Sequence, residues 1–132
     1  MTGKIQGHKD LGFSWQSLEI QCQLQTKQQI GLILYQSADG SETAKPVFDP
    51  AQGQLRLEGS LILNPPLPLP LKAHQPLELH IFIDVTTLEV FCQGQALSTH
   101  IYPQQPSLGL CLHGQAVIER LEVWELAISH RL

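Results

Sequence analysis

Apolar residues in this chain recur at every second position over most of its length. In "SLEIQCQLQ", Leu18, Ile20, Cys22 and Leu24 fall on one face, and in "LELHIFI", Leu77, Leu79, Ile81 and Ile83 do the same. An extended chain turns successive side chains to opposite faces, so this alternation predicts half-buried β-strands with a polar outer side. Further strands are expected at Ile30 to Gln36, Ala44 to Phe48, Gln54 to Leu63, Leu88 to Gln93, Ala96 to Tyr102, Leu108 to Leu112 and Ala116 to Leu126. Turn-forming runs separate them: "SADGS", "DPAQG", "QGQ", "YPQQPS" and "HGQ". No stretch carries a helical period. About nine or more short, evenly punctuated strands predict an all-β chain, a two-sheet antiparallel β-sandwich. With no internal repeat or boundary, residues 1–132 are expected to form a single domain.

One segment departs from the pattern. In "NPPLPLPLKAHQP", Asn64 to Pro76, five of thirteen residues are proline, and Leu67, Leu69 and Leu71 alternate with them. Proline lacks the N–H that a central ladder needs. The segment is therefore expected to be an extended crossover between sheets, its leucines laid on apolar surface.

The stretch "FIDVTTLEVF", Phe82 to Phe91, sets two acids, Asp84 and Glu89, in an apolar and β-branched run. A turn centred on Thr86 and Thr87 pairs Asp84 with Glu89 and Phe82 with Phe91. Leu79, Ile81, Ile83, Val85, Leu88, Val90 and Cys92 then face the core, and Glu78, His80, Phe82, Asp84, Glu89, Phe91 and Gln93 face outward. Cross-strand Cβ atoms lie about 4.5–5.5 Å apart, and retaining glycosidases hold their carboxyl groups about 5–5.5 Å apart. Distance alone would fit catalysis. Orientation would not, because two side chains standing side by side on one hairpin do not flank a scissile bond from opposite faces. The pair is expected on a solvated or interface face, with a cation such as Arg120 offsetting the like charges. Phe82 and Phe91 are expected to form a cross-strand aromatic pair there.

Charged residues are 15% of the chain, the formal charge is −4, and the eight Lys and Arg form no basic cluster. That composition argues against nucleic acid and against an anionic membrane surface. Abundant Gln leaves a polar face suited to sugars or to other proteins. The first residues, "MTGKIQGHKDLGFSWQSLEI", hold no apolar leader, so a cytoplasmic chain is expected. Three cysteines, Cys22, Cys92 and Cys111, cannot all pair internally and suit buried free thiols. Six histidines show no HxH or HExxH spacing, and no metal site or cofactor is expected. "SADGSE" offers Asp39 and Glu42 as calcium ligands, but Asp39-Gly40 between strands is first a hairpin turn. Trp15 and Phe13, or Trp124 in "LEVWEL", have the faces to stack on a sugar ring, although a core aromatic closing the sandwich is the expected role.

Taken in order, "LELHIFIDVTTLEVF", "ALSTHIYP" and the terminal "VIERLEVWEL" resemble the C-terminal β-sandwich module of glycoside hydrolase family 32, the invertases, inulinases and levanases. The segments "SLEIQCQLQ", "IGLILYQSADGSE" and "VFDPAQGQLRLEGS" resemble its opening strands, its DG turn and the strand that follows. The resemblance runs from about Phe13 to Leu126 and implies a concanavalin or lectin-like jelly-roll. In such enzymes the catalytic carboxylates sit in an N-terminal five-bladed propeller with NDPNG, RDP and EC segments, none of which is present here. "FDP", Phe48 to Pro50, mimics RDP only in letters and begins a turn. Val85 stands where the family hairpin usually carries Arg, and "EGS", Glu58 to Ser60, stands for "DRS".

The resemblance therefore implies a chain without catalytic residues: an accessory module that braces a catalytic propeller and touches fructan oligosaccharide. The alternatives are a free-standing lectin-like module and an element that pairs with a second copy of itself. Phe82, Phe91, Asp84, Glu89 and Trp15 are the candidate carbohydrate-binding or interface residues.

Overall fold

The computed structural model describes residues 2–12, 17–60, 66–72, 74–84 and 86–125. Among them are eleven strands and no helix: β1 (Gly3–Asp10), β2 (Leu18–Gln25), β3 (Ile30–Ile33), β4 (Tyr35–Gln36), β5 (Thr43–Asp49), β6 (Gln54–Glu58), β7 (Leu67–Pro68), β8 (Leu77–Asp84), β9 (Thr87–Cys92), β10 (Gln95–His100) and β11 (Cys111–Glu125). The antiparallel ladder runs β10-β9-β8-β2-β11-β3-β5-β6-β7, with β1 added to β11 and β4 to β5.

The long strand β11 belongs to both layers of the sandwich. Its first half pairs with β3 and β1, and its second half pairs with β2 from Val117 onward. The register slips between Ile118 and Arg120, so Glu119 is the extra residue of a bulge. A bulge bends its strand and increases the local twist, and here it lies where one layer gives way to the other. The two ends of the ladder come back together across the prolyl-leucyl segment. Leu67 pairs with Leu55 of β6, and the next residue, Pro68, accepts a hydrogen bond from Gln95 Nε2 of β10 at 3.0 Å. The sheet thus closes on itself as an antiparallel sandwich.

Between the layers, Leu24 and Leu77 of one meet Phe48, Leu55 and Leu112 of the other, leaving a void of only about 10 Å³. Ile20, Ile81, Ile83 and Leu88 are fully buried. The inward alternation on β2, β8 and β9 is the expected one, and Cys22 and Cys92 both face the core. Leu69 is buried, while Leu67 and Leu71 are packed against the core, as the crossover required.

Three expectations change. Strand β1 was not foreseen, because only Ile5 of its eight residues is buried and it carries no apolar period; its backbone pairing along β11 holds it instead. The segments Leu108 to Leu112 and Ala116 to Leu126 are not two strands, since Cys111–Glu125 is continuous. Cys111 is buried, as the other two cysteines are, and sits beside His8 with Sγ and Nε2 2.9 Å apart. In the β8–β9 hairpin Asp84 faces Thr87, Phe82 faces Glu89 and His80 faces Phe91. That slip from the expected pairing is even, so every described side chain of the hairpin keeps its face. Val85, expected to face the core, Leu126 and the predicted strand extension at Leu61 to Leu63 lie outside the described residues.

Candidate functional site

The outer face of the β11-β2-β8-β9 layer carries the candidate residues. Registers across the ladder place Trp124, Glu19, Phe82 and Glu89 in one row, and Glu122, Gln21, His80 and Phe91 in the next. Phe82 and Phe91 do meet, although diagonally: their ring centroids are 6.0 Å apart at 88°. Such an edge-to-face contact sets the positive rim of one ring against the negative face of the other. His80 joins them, 4.5 Å from Phe82 and 6.5 Å from Phe91 by ring centroid. Its Nε2 lies 2.6 Å from a carboxylate oxygen of Glu19, which fixes the ring's orientation.

The acids divide. Asp84 accepts a hydrogen bond from Ser17 Oγ at 3.0 Å, beyond the end of β2. Glu89 stands across from Phe82 in the middle of the face. They are not cross-strand partners, because Asp84 pairs with Thr87, two residues short of the Glu89 that a Thr86-Thr87 centre would set opposite it. Arg120 does not offset them, since it is held by Glu122 at 2.5 Å farther along β11. Trp124, expected as a core aromatic, is 38% exposed and Phe91 is 40% exposed. Phe13 and Trp15 lie outside the described residues. The structure thus gathers Phe82, Phe91, Asp84 and Glu89 on one face and adds Glu19, His80 and Trp124. Glu19 and His80 were legible as outward positions, but their contact joins residues far apart in sequence, and no spacing rule foretells it.

The other acidic motifs are consumed by turns. Asp39 accepts hydrogen bonds from Ser41 N and Oγ, from Ser37 Oγ and from Gln105 Nε2. The Ser41 amide and hydroxyl, followed by the Ser37 hydroxyl, hold its carboxyl far below the usual carboxylate range. Glu42 accepts from the backbone N–H groups of Gln104 and Gln105, tying the 101–109 loop to the β4–β5 hairpin. These are the contacts of an Asp-Gly turn.

Asp49, the acid of "FDP", accepts from Ala51 N and Gln52 N in the next turn and from Arg56 at 3.1 Å. Burial pushes its carboxyl up, but Arg56 and the turn amides outweigh burial and hold it low. Arg56 also binds Glu58 at 2.6 Å. The acids of this region are therefore networked without an arginine in the "EGS" segment. At Gly59 of that segment φ is +129° and a Cβ would fall 2.2 Å from Thr43 O, so this backbone admits no arginine there. Among the described residues, no group of three or more His, Cys, Asp or Glu could hold a metal ion.

No curated protein matches the sequence, whereas solved structures match the fold. Exo-inulinase from Aspergillus awamori superposes with a TM-score of 0.77 at 19% identity, over 95% of this chain and 28% of that one. Fructan 1-exohydrolase IIa from Cichorium intybus gives 0.69 at 10% identity, over 96% and 34%. A carbohydrate binding module from Bacillus subtilis gives 0.71 at 9% identity, over 93% and 83%. The chain thus spans about a third or less of the length of the two hydrolases. The family model described as "Glycosyl hydrolases family 32 C terminal" matches residues 2–125. This chain belongs to the family of C-terminal β-sandwich domains of the family 32 glycosyl hydrolases.

Proposed function

We propose that the chain is a non-catalytic accessory module of a fructan- or sucrose-acting hydrolase, and that the outer face of β8 and β9 docks on the catalytic propeller. The observation that carries this is the aromatic pair of Phe82 and the half-exposed Phe91, set among Glu19, His80, Asp84 and Glu89, with the half-exposed Trp124 on the same face beyond Glu19. Clustered aromatics rimmed by polar groups suit a surface that another surface covers. Catalysis by the acids of this face is disfavoured, since Asp84 and Glu89 stand on the same side of one hairpin and are not opposed.

The test is sedimentation of the chain with a family 32 propeller encoded beside it. A complex that Phe82→Ser with Phe91→Ser abolishes is expected. A propeller that sediments separately, the absence of any such coding sequence, or fructose release by the chain alone from sucrose, inulin or levan overturns the proposal.

A second reading, contact with neutral fructan through the same face, draws on the interleaving of acids and His80 between the rings. Rings stack on the apolar face of a sugar while carboxylates accept from its hydroxyls. Calorimetry with levan oligosaccharides tests it, with binding lost in Phe91→Ala.

A further inference from the structure

A second region of the molecule has the shape and the charge of a binding site. Where β2 gives way to β3, the connector around Thr26 passes beside β11 and β1, and the end of the prolyl-leucyl segment closes in from the other layer. Together they border a cleft of about 890 Å³, within the roughly 300–1,000 Å³ of small-molecule sites. Its floor is apolar and buried, made by Ile5, Phe48, Leu77 and Ala116.

The rim is charged with one sign. Of the five lysines in the chain, Lys4, Lys27 and Lys72 line the cleft, with His74 beside them, and no Asp or Glu does. This happens in a protein with twelve acids and a formal charge of −4. Among the described residues none of the three lysines is ion-paired.

Both rims are also held in place. Thr26 Oγ1 lies 2.7 Å from Gln28 O and 2.8 Å from Gln115 O, and it accepts from Gln28 N at 3.1 Å, which pins the connector to β11. Across the cleft, Lys72 N donates to Gln75 Oε1 and Gln75 N donates to Lys72 O, each at 3.0 Å. Inside that closed turn His74 has φ +64°, a left-handed conformation uncommon for a residue with a side chain. Such strain persists only where the surroundings over-determine it, and it concentrates at ligand sites.

Unpaired ammonium groups in a concave site select an anion. Amide side chains around them, Gln6, Gln28 and Gln115, supply both donors and acceptors, which suits hydroxyl groups. Phe48 is buried to 2% exposure, so it offers no ring face for stacking. We propose that this cleft binds an anionic sugar, a hydroxylated ring bearing a phosphate or a carboxylate. The proposal is independent of the aromatic face of β8 and β9.

Calorimetric titration of the whole chain with a glucose phosphomonoester, galacturonate, unmodified glucose and inorganic phosphate tests it. At least one of the two charged sugars should bind about tenfold or more tighter than glucose and than inorganic phosphate, with affinity falling as salt rises. Preference between the phosphate and the carboxylate identifies the anion. Lys27→Gln with Lys72→Gln, both exposed positions, should weaken that binding about tenfold or more with the circular dichroism spectrum unchanged, while Phe91→Ser leaves it intact. Failure of both charged sugars to bind, equal binding of glucose or of inorganic phosphate, indifference to the lysine variants, or loss in Phe91→Ser overturns the proposal.

Discussion

Burial governs the thiols of Cys22 and Cys92. It pushes both up to about 12, with Glu78 adding to the effect at Cys92. The reactive species is the thiolate, so at pH 8 only on the order of one in ten thousand of either thiol is ionised. Burial also raises Cys111, although it sits beside His8. Ellman's reagent should therefore label none of the three in the native state and all three in denaturant. Rapid native labelling of Cys22 would place the wrong face of β2 inward. Asp39 behaves oppositely. Its folded carboxyl is depressed by bonds from Ser41 and Ser37, so its contribution to stability is present above the ordinary carboxylate value, about 3.9. It is lost as pH falls below that value toward the depressed folded one. Asp39→Ala should lower the urea midpoint at neutral pH and flatten its decline between about pH 4 and 2; an unchanged acid limb would mean that the turn does not hold the ionised form.

Among the elements, the end of β6 is the most constrained turn. Thr43 N donates to Ser60 Oγ at 3.0 Å and Ser60 N donates to Thr43 Oγ1 at 3.3 Å, drawing the two strands together at Gly59. Gly59→Ala puts a Cβ 2.2 Å from Thr43 O at φ +129°, whereas Gly40→Ala, at φ +74°, meets nothing within 4 Å. The second should cost about 1–2 kcal/mol of backbone strain. The first should cost clearly more in urea unfolding, and equal losses would show that the close approach to Thr43 relaxes freely.

Most strands were legible from the period of two, because inward alternation is what a half-buried strand requires. The hairpin faces were legible for the same reason, but its register was not, since pairing Asp84 with Thr87 or with Glu89 keeps the same side chains inward. The bulge on β11 does leave a trace: Ala116 and Ile118 face inward, then Leu121 and Val123, a phase slip of one residue. Strand β1 left none, because backbone pairing without burial writes no apolar pattern.

At the scale of the whole molecule, the sandwich presents two distinct surfaces. The cationic cleft draws its lysines from positions 4, 27 and 72, which meet only where four segments converge, so no local motif announces it. The aromatic face was visible in sequence because one hairpin supplies both phenylalanines. It is also the surface that decides whether this domain needs a partner. Ile81 and Ile83 alternate with Phe82 on β8, and both are fully buried, whereas Phe91 keeps 40% of its surface exposed. Ile81→Ala should therefore cost about 2–5 kcal/mol, the range for emptying a core position. Phe82→Ser with Phe91→Ser removes rings that pack on each other and on His80, and fully burying a phenylalanine is worth only about 1.5–3 kcal/mol. The double variant should stay folded and cooperative in urea, with a smaller loss than Ile81→Ala. If it unfolds instead, that face packs against part of this same chain, and the docking surface belongs elsewhere. If it folds and the wild type alone self-associates in sedimentation velocity, a second copy of the chain covers the rings and the propeller must dock on a different face.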